Sequence, residues 1–295
     1  MKNPKKILIA NRGVIAIRAL RAAKELGYQV ASVYSTVDKD QKHLKLSDEA
    51  ICIGPAEAKD SYLNEAAIIS AAELVGADAI YPGYGFLAEN SSFAEKCNQS
   101  GFKFVGPNSQ VIEIMGDKIK AKELIESLGV PVVPGYTGEI KDQDHIEGIV
   151  EGIGYPVIVK ASAGGGGKGM RVVQNREELW DSVVSAQNEA EFAFGNGEVF
   201  IEKYLQKPRH IEVQVFGDGK GKVVHLFSRD CSLQRRYQKV LEEAPARNLP
   251  EDKLNEIQEI CVSACSELKY EGAGTLEFLY ENNEFYFIEM NTRIQ

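Results

Sequence analysis

The chain has 295 residues, of which 44% are hydrophobic and 26% charged, and its formal net charge is −9. This length predicts a globular protein of about two or three domains, and the negative balance argues against nucleic acid or an anionic membrane surface as a partner. No apolar run approaches the length of a membrane span, and five cysteines without a Cys-x-x-Cys pair indicate reduced thiols, so a cytoplasmic protein is expected.

Strand and helix signals alternate over residues 1–115. Apolar runs such as 7–10 and 30–34 predict strands, and apolar residues at helical spacing predict a helix over 15–26. Asn64 is placed to cap a further helix. This alternation predicts an α/β domain built on a doubly wound parallel sheet.

A second unit, with a different pattern of strand and helix signals, is predicted over residues 116–295. Asp117 is placed to cap a helix, and Pro134-Gly135 marks a boundary after it. Beyond that boundary, short strand-like runs alternate with glycine-rich turns. A helix over 251–268 and an aromatic hairpin over 274–293 complete the unit.

The stretch KASAGGGGKGMRVV, residues 160–173, holds four consecutive glycines. Its glycines satisfy G-x-G-x-x-G, but a strand-like run follows where a dinucleotide loop needs a helix. Ser162 and Gly169 stand where a P-loop needs Gly and then Ser or Thr, and a kinase-type loop has its lysine later in the chain. A flap between two strands, with Lys160 before it, predicts a cover over phosphate; a flexible hairpin turn is the alternative.

The hairpin over 274–293 carries one acid on each strand, Glu277 and Glu289, around Asn282-Asn283. A two-residue turn sets Glu277 opposite Ile288 and leaves the acids on different faces, whereas a longer turn or a bulge sets Glu277 opposite Glu289. Facing carboxylates repel each other, which favours a magnesium ion between them. Two exposed acids on a sheet edge are the alternative.

Two further features indicate an anion, and a third extends the polar face of the hairpin. The run 229–239 has a basic excess in an acidic chain, although an exposed charged loop is its ordinary interpretation. Lys118 lies in the first turn of a predicted helix, where the dipole disfavours a cation. Asn291 and Arg293 follow Glu289 at a period of two and therefore share its face. His210, at a strand start, is compatible with a structural or a functional role.

Several motifs follow one another along the chain. They are A-N-R-G at 10–13, Y-P-G-Y-G-F-L-A-E-N at 81–90, M-G-D-K at 115–118, the glycine loop, E-K-Y-L at 202–205, P-R-H-I-E at 208–212, Q-R-R-Y-Q-K at 234–239 and F-I-E-M-N-T-R-I-Q at 287–295. Together they closely resemble biotin carboxylase, the ATP-grasp component of biotin-dependent carboxylases. The resemblance covers essentially the whole chain. It implies a pre-ATP-grasp domain over 1–115 and an ATP-grasp α+β core over 116–295, with a small lid domain at about 132–204.

The resemblance implies ATP-driven activation of bicarbonate to carboxyphosphate, followed by carboxylation of biotin. It places Mg²⁺ or Mn²⁺ on Glu277 and Glu289 with Asn291 close by, and it places Lys239 and Arg293 beside bicarbonate and carboxyphosphate. The residues it assigns to ATP are Lys118, Lys160, Gly165, Gly166, Gly167, Met170, Glu202, Lys203, Leu205, His210, Gln234 and Leu279.

The partners implied by the resemblance are a biotin carboxyl carrier protein or domain and a carboxyltransferase, and a homodimer is expected at full length. Tyr84 and Gly85 would lie near the biotin pocket. Acetyl-CoA is the expected final acceptor, with pyruvate and other acyl-CoA acceptors as alternatives. Another ATP-grasp ligase, or a non-catalytic ATP-binding or interaction module, remains an alternative for the chain itself.

The chain departs from the family pattern in three places. Val14 stands where the family usually has Glu, and Tyr237 stands where His is often found. The sequence ends at Gln295, before the segment that would carry the base for bicarbonate and an arginine for the biotin enolate. The 295 residues alone are therefore expected to bind ATP weakly and not to carboxylate biotin.

Overall fold

The computed structural model describes residues 5–162, 170–235 and 238–295. Within these ranges the chain forms an N-terminal parallel sheet, a small middle sheet and a larger C-terminal antiparallel sheet. Among the described residues, no helix combines the length and the apolar character that crossing a membrane requires.

The N-terminal sheet has the strand order β3-β2-β1-β4-β5, and its pairings are parallel. Its strands are β1 (Lys6–Ile9), β2 (Gln29–Ser35), β3 (Glu49–Gly54), β4 (Ala79–Tyr81) and β5 (Lys103–Phe104). The helices of this region are α1 (Gly13–Glu25), α2 (Lys42–Leu46), α3 (Glu65–Val75), α4 (Ser91–Gln99) and α5 (Ser109–Gly116). Asn64 caps α3 by accepting a hydrogen bond from the amide of Ala67, as its position predicts.

Both faces of this sheet are covered by helices. Successive residues of a strand point to opposite faces. Leu8 packs in a cluster with Ile68 of α3 and Phe93 of α4, whereas its neighbour Ile9 packs with Leu20 of α1. The predicted doubly wound parallel sheet is therefore confirmed.

The middle sheet follows α6 (Lys118–Ser127), which Asp117 caps through the amides of Ile119 and Lys120. Its strand order is β6-β9-β7-β8, and all of its pairings are antiparallel. The elements are β6 (Gly135–Tyr136), α7 (Gln143–Ile153), β7 (Val157–Ala161), β8 (Arg171–Val173), α8 (Leu179–Phe194) and β9 (Val199–Lys203). Because β8 begins just after the glycine loop, the predicted strand at this point, rather than a helix, is confirmed.

The C-terminal sheet has the order β11-β10-β14-β15. Its elements are β10 (Arg209–Asp218), β11 (Val223–Asp230), β14 (Glu271–Glu281) and β15 (Glu284–Asn291), and the short pair β12 (Gln234–Arg235) and β13 (Gln238–Lys239) lies beside it. Helix α9 (Glu251–Glu267) packs against this sheet through its buried face. The thiols of Cys261 and Cys265 are buried and unbridged within that core, as predicted.

A cleft opens between the middle sheet and the C-terminal sheet, with α6 along one side. Lys160 at the end of β7 and Glu202 at the end of β9 form one wall. Residues of β10, β14 and β15 form the other wall. The cleft therefore collects the ends of elements that are far apart in the sequence.

Candidate nucleotide and anion site

Three carboxylates lie in a row across the C-terminal sheet. Glu212 of β10 pairs directly with Glu277 of β14, and Glu277 pairs with Glu289 of β15. Glu212 and Glu277 are buried, whereas Glu289 lies on the solvent-exposed wall of the cleft. Like charges placed directly opposite each other destabilise a sheet unless cations compensate them. The row therefore requires positive groups around it.

The register of Glu277 against Glu289 comes from a bulge. Asn282 and Asn283 have positive φ angles of 55° and 64°, as a two-residue hairpin turn requires. This turn pairs Glu281 with Glu284, but the ladder shifts by one residue between Phe278 and Glu277, which leaves Ile288 as the extra residue. Of the two registers that the sequence permits, the structure has the one in which Glu277 and Glu289 face each other.

Lys239 lies between two of the carboxylates. Its Nζ donates to Glu212 Oε2 at 2.6 Å and to Glu277 Oε1 at 2.5 Å. The other oxygen of Glu212 accepts a hydrogen bond from the guanidinium of Arg229. Burial opposes the charge of Lys239, but the carboxylates of Glu277 and Glu212 outweigh it and raise the pKa of Lys239.

The pKa of Glu277 falls to about 2. Burial would raise it, but the adjacent His210 and Lys239 stabilise the ionised carboxylate more strongly. His210 Nε2 lies 2.9 Å from Glu277 Oε2. Gln234 Nε2 donates to the carbonyl of Cys231 at 2.9 Å and lies 3.1 Å from His210 Nδ1, which fixes the imidazole beside Glu277. Glu277 is therefore ionised at neutral pH.

Glu289 shows the opposite shift. Desolvation within the cleft raises its pKa, and the charge of Glu277 raises it further, while Lys118 and Lys239 oppose the rise. Burial also lowers the pKa of Lys118, with Glu289 acting against that change. Two carboxylates with pKa values moved apart in this way are a common feature of functional sites.

A chain of hydrogen bonds links these carboxylates to the N-terminal domain. Asn291 Nδ2 donates to Glu277 Oε1 at 2.6 Å, and its Oδ1 accepts from Arg293 Nη2 at 2.6 Å. Arg293 Nε in turn donates to Glu89 Oε2 at 2.8 Å. Asn291 and Arg293 share one face, as their period of two predicts.

At the other wall of the cleft, two lysines share one buried carboxylate. Lys160 Nζ donates to Glu202 Oε2 at 2.6 Å, and Lys122 Nζ donates to Glu202 Oε1 at 3.0 Å. Although burial opposes ionisation of Glu202, the two lysines lower its pKa. Lys203 instead directs its Nζ to the carbonyls of Gly154 and Tyr155. Lys160 is thus held at the cleft, as its position before the glycine loop predicts.

The cleft has a volume of about 690 Å³ and brings together the described residues that the sequence assigned to ATP, metal and bicarbonate, whereas Tyr84 and Gly85, expected near the biotin pocket, do not line it. The residues that it brings together are Lys118, Lys160, Met170, Glu202, Lys203, Leu205, His210, Gln234, Lys239, Glu277, Leu279, Glu289, Asn291 and Arg293. Gly165, Gly166 and Gly167 lie outside the described residues, as does Tyr237. Val14 is 78% exposed at the start of α1, and nothing in the structure explains the change from Glu.

Sequence reasoning missed three residues that hold the cleft together, namely Glu212, Lys122 and Glu89. A signal for Glu212 was present, because it follows His210 at a period of two and therefore shares its face. Lys122 lies four residues after Lys118, one helical turn along the same face of α6. The contact between Glu89 and Arg293 joins residues 204 positions apart, and no local pattern predicts it.

The carboxylates fit a magnesium ion. Mg²⁺ prefers oxygen ligands and is usually held by one or two carboxylates together with phosphate oxygens. Glu277 and Glu289 supply those carboxylates on one face. Desolvation and then the charge of Glu277 raise the pKa of Glu289, and a divalent cation between the two carboxylates would offset the repulsion from Glu277.

The small middle sheet, the larger antiparallel sheet and the cleft between them define an ATP-grasp protein. In agreement, the family model "Carbamoyl-phosphate synthase L chain, ATP binding domain" matches residues 117–295. The model "Biotin carboxylase, N-terminal domain" matches residues 3–112. The chain belongs to the biotin carboxylase family.

Similar proteins agree with this assignment. The biotin carboxylase of Pseudomonas aeruginosa is 57% identical over 291 residues, which cover 98% of this chain and 65% of that protein. A biotin carboxylase–β-γ-ATP complex from Campylobacter jejuni superposes with a TM-score of 0.94 at 53% identity, covering 99% of this chain and 66% of the other.

A third similar protein is the biotin carboxylase domain dimer of Hydrogenobacter thermophilus 2-oxoglutarate carboxylase, in complex with MgADP, ADP and bicarbonate. It has a TM-score of 0.92 and 49% identity, covering 100% of this chain and 65% of the other. The chain spans about 65% of the length of the curated biotin carboxylases that it matches.

Proposed function

We propose that this chain is the nucleotide-binding part of a biotin carboxylase, which uses Mg-ATP to activate bicarbonate to carboxyphosphate and then carboxylates biotin on a carrier protein or domain. The observation that carries the proposal is the cleft, in which a facing pair of carboxylates lies beside four cationic side chains. These cations are Lys118, Lys160, Lys239 and Arg293. The division of the chain at 115/116, with a lid at about 132–204, is part of the same proposal.

The nucleotide would lie along the cleft from the lid sheet to the carboxylates. The end of β9 and the residues after it, Glu202, Lys203 and Leu205, would meet the base. Met170 and Leu279 offer apolar surface for its faces. The remaining contacts to the nucleotide would be made by Lys118, Lys160, His210 and Gln234, together with Gly165, Gly166 and Gly167 of the loop.

Glu277 and Glu289 would hold Mg²⁺ or Mn²⁺, with Asn291 orienting Glu277. A bound divalent cation supplies charge neutralisation between the phosphates and the carboxylates. The chain's own contribution is to fix this pair, because Lys239 and Asn291 clamp Glu277 in one orientation. A preorganised charge needs no reorganisation when the reaction occurs.

Lys239 and Arg293 would receive bicarbonate. In the proposed reaction a bicarbonate oxygen bonds to the γ-phosphorus while the bond from that phosphorus to the ADP oxygen breaks. Both reactants are anions, so cations on the bicarbonate side offset their repulsion and the charge that develops. The carboxyl group then passes to the biotin nitrogen, and inorganic phosphate is released.

The partners in this proposal are the biotin carrier and a carboxyltransferase, and the complete protein would be a homodimer. For the final acceptor we propose acetyl-CoA or, as the alternative, pyruvate. The names of relatives differ in acceptor: one is a methylcrotonoyl-CoA carboxylase subunit and another a 2-oxoglutarate carboxylase domain. The acceptor preference is tested by co-purifying the carboxyltransferase and assaying it with acetyl-CoA, with other acyl-CoA esters and with pyruvate.

The direct test is ADP release by the complete gene product that contains this sequence. ADP formation that requires bicarbonate and rises with free biotin is the expected result. ATP cleavage indifferent to biotin would support another ATP-grasp ligase, and Mg-ATP binding without turnover would support a non-catalytic module. The same assay on the 295 residues alone tests the prediction that they do not carboxylate biotin.

A further inference from the structure

Lys122 is a buried lysine at the nucleotide cleft, with 8% of its surface exposed. It lies one helical turn after Lys118 on α6. Its Nζ donates to the carbonyl of Val133 at 2.6 Å and to Glu202 Oε1 at 3.0 Å. A buried ammonium is expensive unless it is paired and hydrogen-bonded, and both contacts meet that need.

The two acceptors belong to the two connections of the lid sheet. Val133 precedes β6, the first strand of that sheet, and Glu202 lies near the end of β9, its last strand. The connections also pair with each other, because Gly135 is opposite Glu202 and the amide of Lys203 donates to Pro134 O. One side chain from α6 therefore holds both connections at the base of the lid.

Lys122 also changes the charge available to a ligand. Glu202 accepts from Lys122 on one oxygen and from Lys160 on the other, so these three side chains carry one more positive than negative charge. Without Lys122, the carboxylate of Glu202 would be neutralised by Lys160 alone, and the group would carry no net charge. Lys160 would then form an ion pair with Glu202 that has no net charge, and no excess positive charge would remain to attract phosphate.

We propose that Lys122 is a positioning residue of the nucleotide site: it holds Glu202 and the Val133 carbonyl in place and thereby leaves the charge of Lys160 available to the phosphate groups of ATP. This inference rests on the proposed function, since it assumes that a nucleoside triphosphate occupies the cleft. It assigns Lys122 a larger effect on phosphate recognition than on the base that Glu202 would meet.

The test uses the complete gene product that contains this sequence and compares its affinities for Mg-ATP, Mg-ADP and adenosine, measured by competition against a fluorescent ADP analogue. Lys122→Met should weaken ATP and ADP binding about tenfold, because one charge is removed near a polyanion, and should leave neutral adenosine within about twofold. Lys122→Gln keeps a donor for the Val133 carbonyl but lacks the charge. It should change the ratio of ATP to adenosine affinity as Lys122→Met does, and it takes the place of Lys122→Met if that variant does not fold.

The matched control is Lys120→Met, which removes a charge from the exposed side of the same helix. It should leave the ratio of ATP to adenosine affinity unchanged. The double variant with Lys122→Met and Glu202→Gln restores the excess of one positive charge, so its ratio should return toward that of the wild type. If Lys122 has a purely structural role, the double variant should instead bind ATP, ADP and adenosine more weakly still, and by equal factors.

The two hypotheses fail differently. If the complete wild-type gene product does not bind Mg-ATP, the proposed function is wrong. If it binds Mg-ATP and the Lys122 variants keep the wild-type ratio of ATP to adenosine affinity, only the role of Lys122 is overturned.

Discussion

Glu277 and Glu289 face each other across adjacent strands because the single residue Ile288 bulges out of the ladder. A hairpin with an unbroken register would place one of these acids on the opposite face. The bulge therefore concentrates negative charge at the cleft, where the charge of Glu277 adds to the desolvation that raises the pKa of Glu289. Such bulges commonly occur next to active sites, where they redirect a side chain.

The first prediction concerns that repulsion. In metal-free buffer at pH 7, Glu289→Gln should raise the urea midpoint, because it removes a charge that Glu277 disfavours. Since the folded-state pKa of Glu289 is raised, the ionised form destabilises the fold at high pH, and the advantage of the variant should shrink as pH falls through that pKa. Glu284→Gln, at the exposed turn end of the same strand, is the control and should have little effect. A lower midpoint for Glu289→Gln would contradict this account.

The second prediction concerns Lys239. Lys239→Met leaves Glu212 and Glu277 facing each other while both are buried, and it should destabilise the chain by about 3 kcal/mol or more. Adding Glu212→Gln removes the charge that faces Glu277 across the strands and should recover part of the loss. Thermal unfolding followed by circular dichroism gives both values, with Lys220→Met on the surface as the control. Additive losses in the double variant would show that the two side chains are not coupled.

The third prediction concerns the start of α6, which presents Lys118 and Lys122 to the cleft. Asp117 accepts hydrogen bonds from the amides of Ile119 and Lys120, both at 3.1 Å. Asp117→Ala should cost about 1 kcal/mol of stability and weaken Mg-ATP binding, because the first turn no longer holds Lys118 in place. Asp117→Asn keeps an acceptor oxygen and should retain most of both properties. Equal losses in the two variants would show that the carboxylate charge, not the cap, is what matters.

The fourth prediction concerns pH. The pKa of Glu277 is about 2 in the folded protein, below its ordinary value of 4.5. Its ionised form therefore contributes stability that is fully present above about pH 4.5 and is lost as pH falls toward 2. The difference in urea midpoint between the wild type and Glu277→Gln should be largest near neutral pH and should shrink across that interval. A difference that is constant from pH 6 to pH 3 would show that Glu277 does not have a depressed pKa.

Local sequence patterns predicted much of the fold. Caps at Asn64 and Asp117, and the strand after the glycine loop, follow from rules that act within a few residues, and all three are confirmed. The register of Glu277 depended on whether Ile288 stayed in the ladder, which is decided by packing across the sheet. The sequence could therefore define the two alternatives but could not choose between them.

The supporting residues of the site were harder to predict. Lys122 reaches Glu202 across 80 positions, and Arg293 reaches Glu89 across 204. Contacts of this kind exist only after three sheets are assembled, so neither spacing nor composition indicates them. The cations that a ligand would touch were given roles from the motifs, whereas Glu89 and Glu212 lie in motifs without an assigned role and Lys122 lies outside them.

The measurement that tests the central claim most directly is the magnesium dependence of ATP affinity, determined by isothermal titration of the complete gene product that contains this sequence, with and without EDTA. The account predicts that the wild type binds Mg-ATP more tightly than metal-free ATP, by about tenfold or more, and that Glu289→Gln abolishes this difference while metal-free binding persists. Glu284→Gln should keep the full difference. Equal affinities for Mg-ATP and metal-free ATP in the wild type, or an undiminished difference in Glu289→Gln, would contradict a metal site between Glu277 and Glu289.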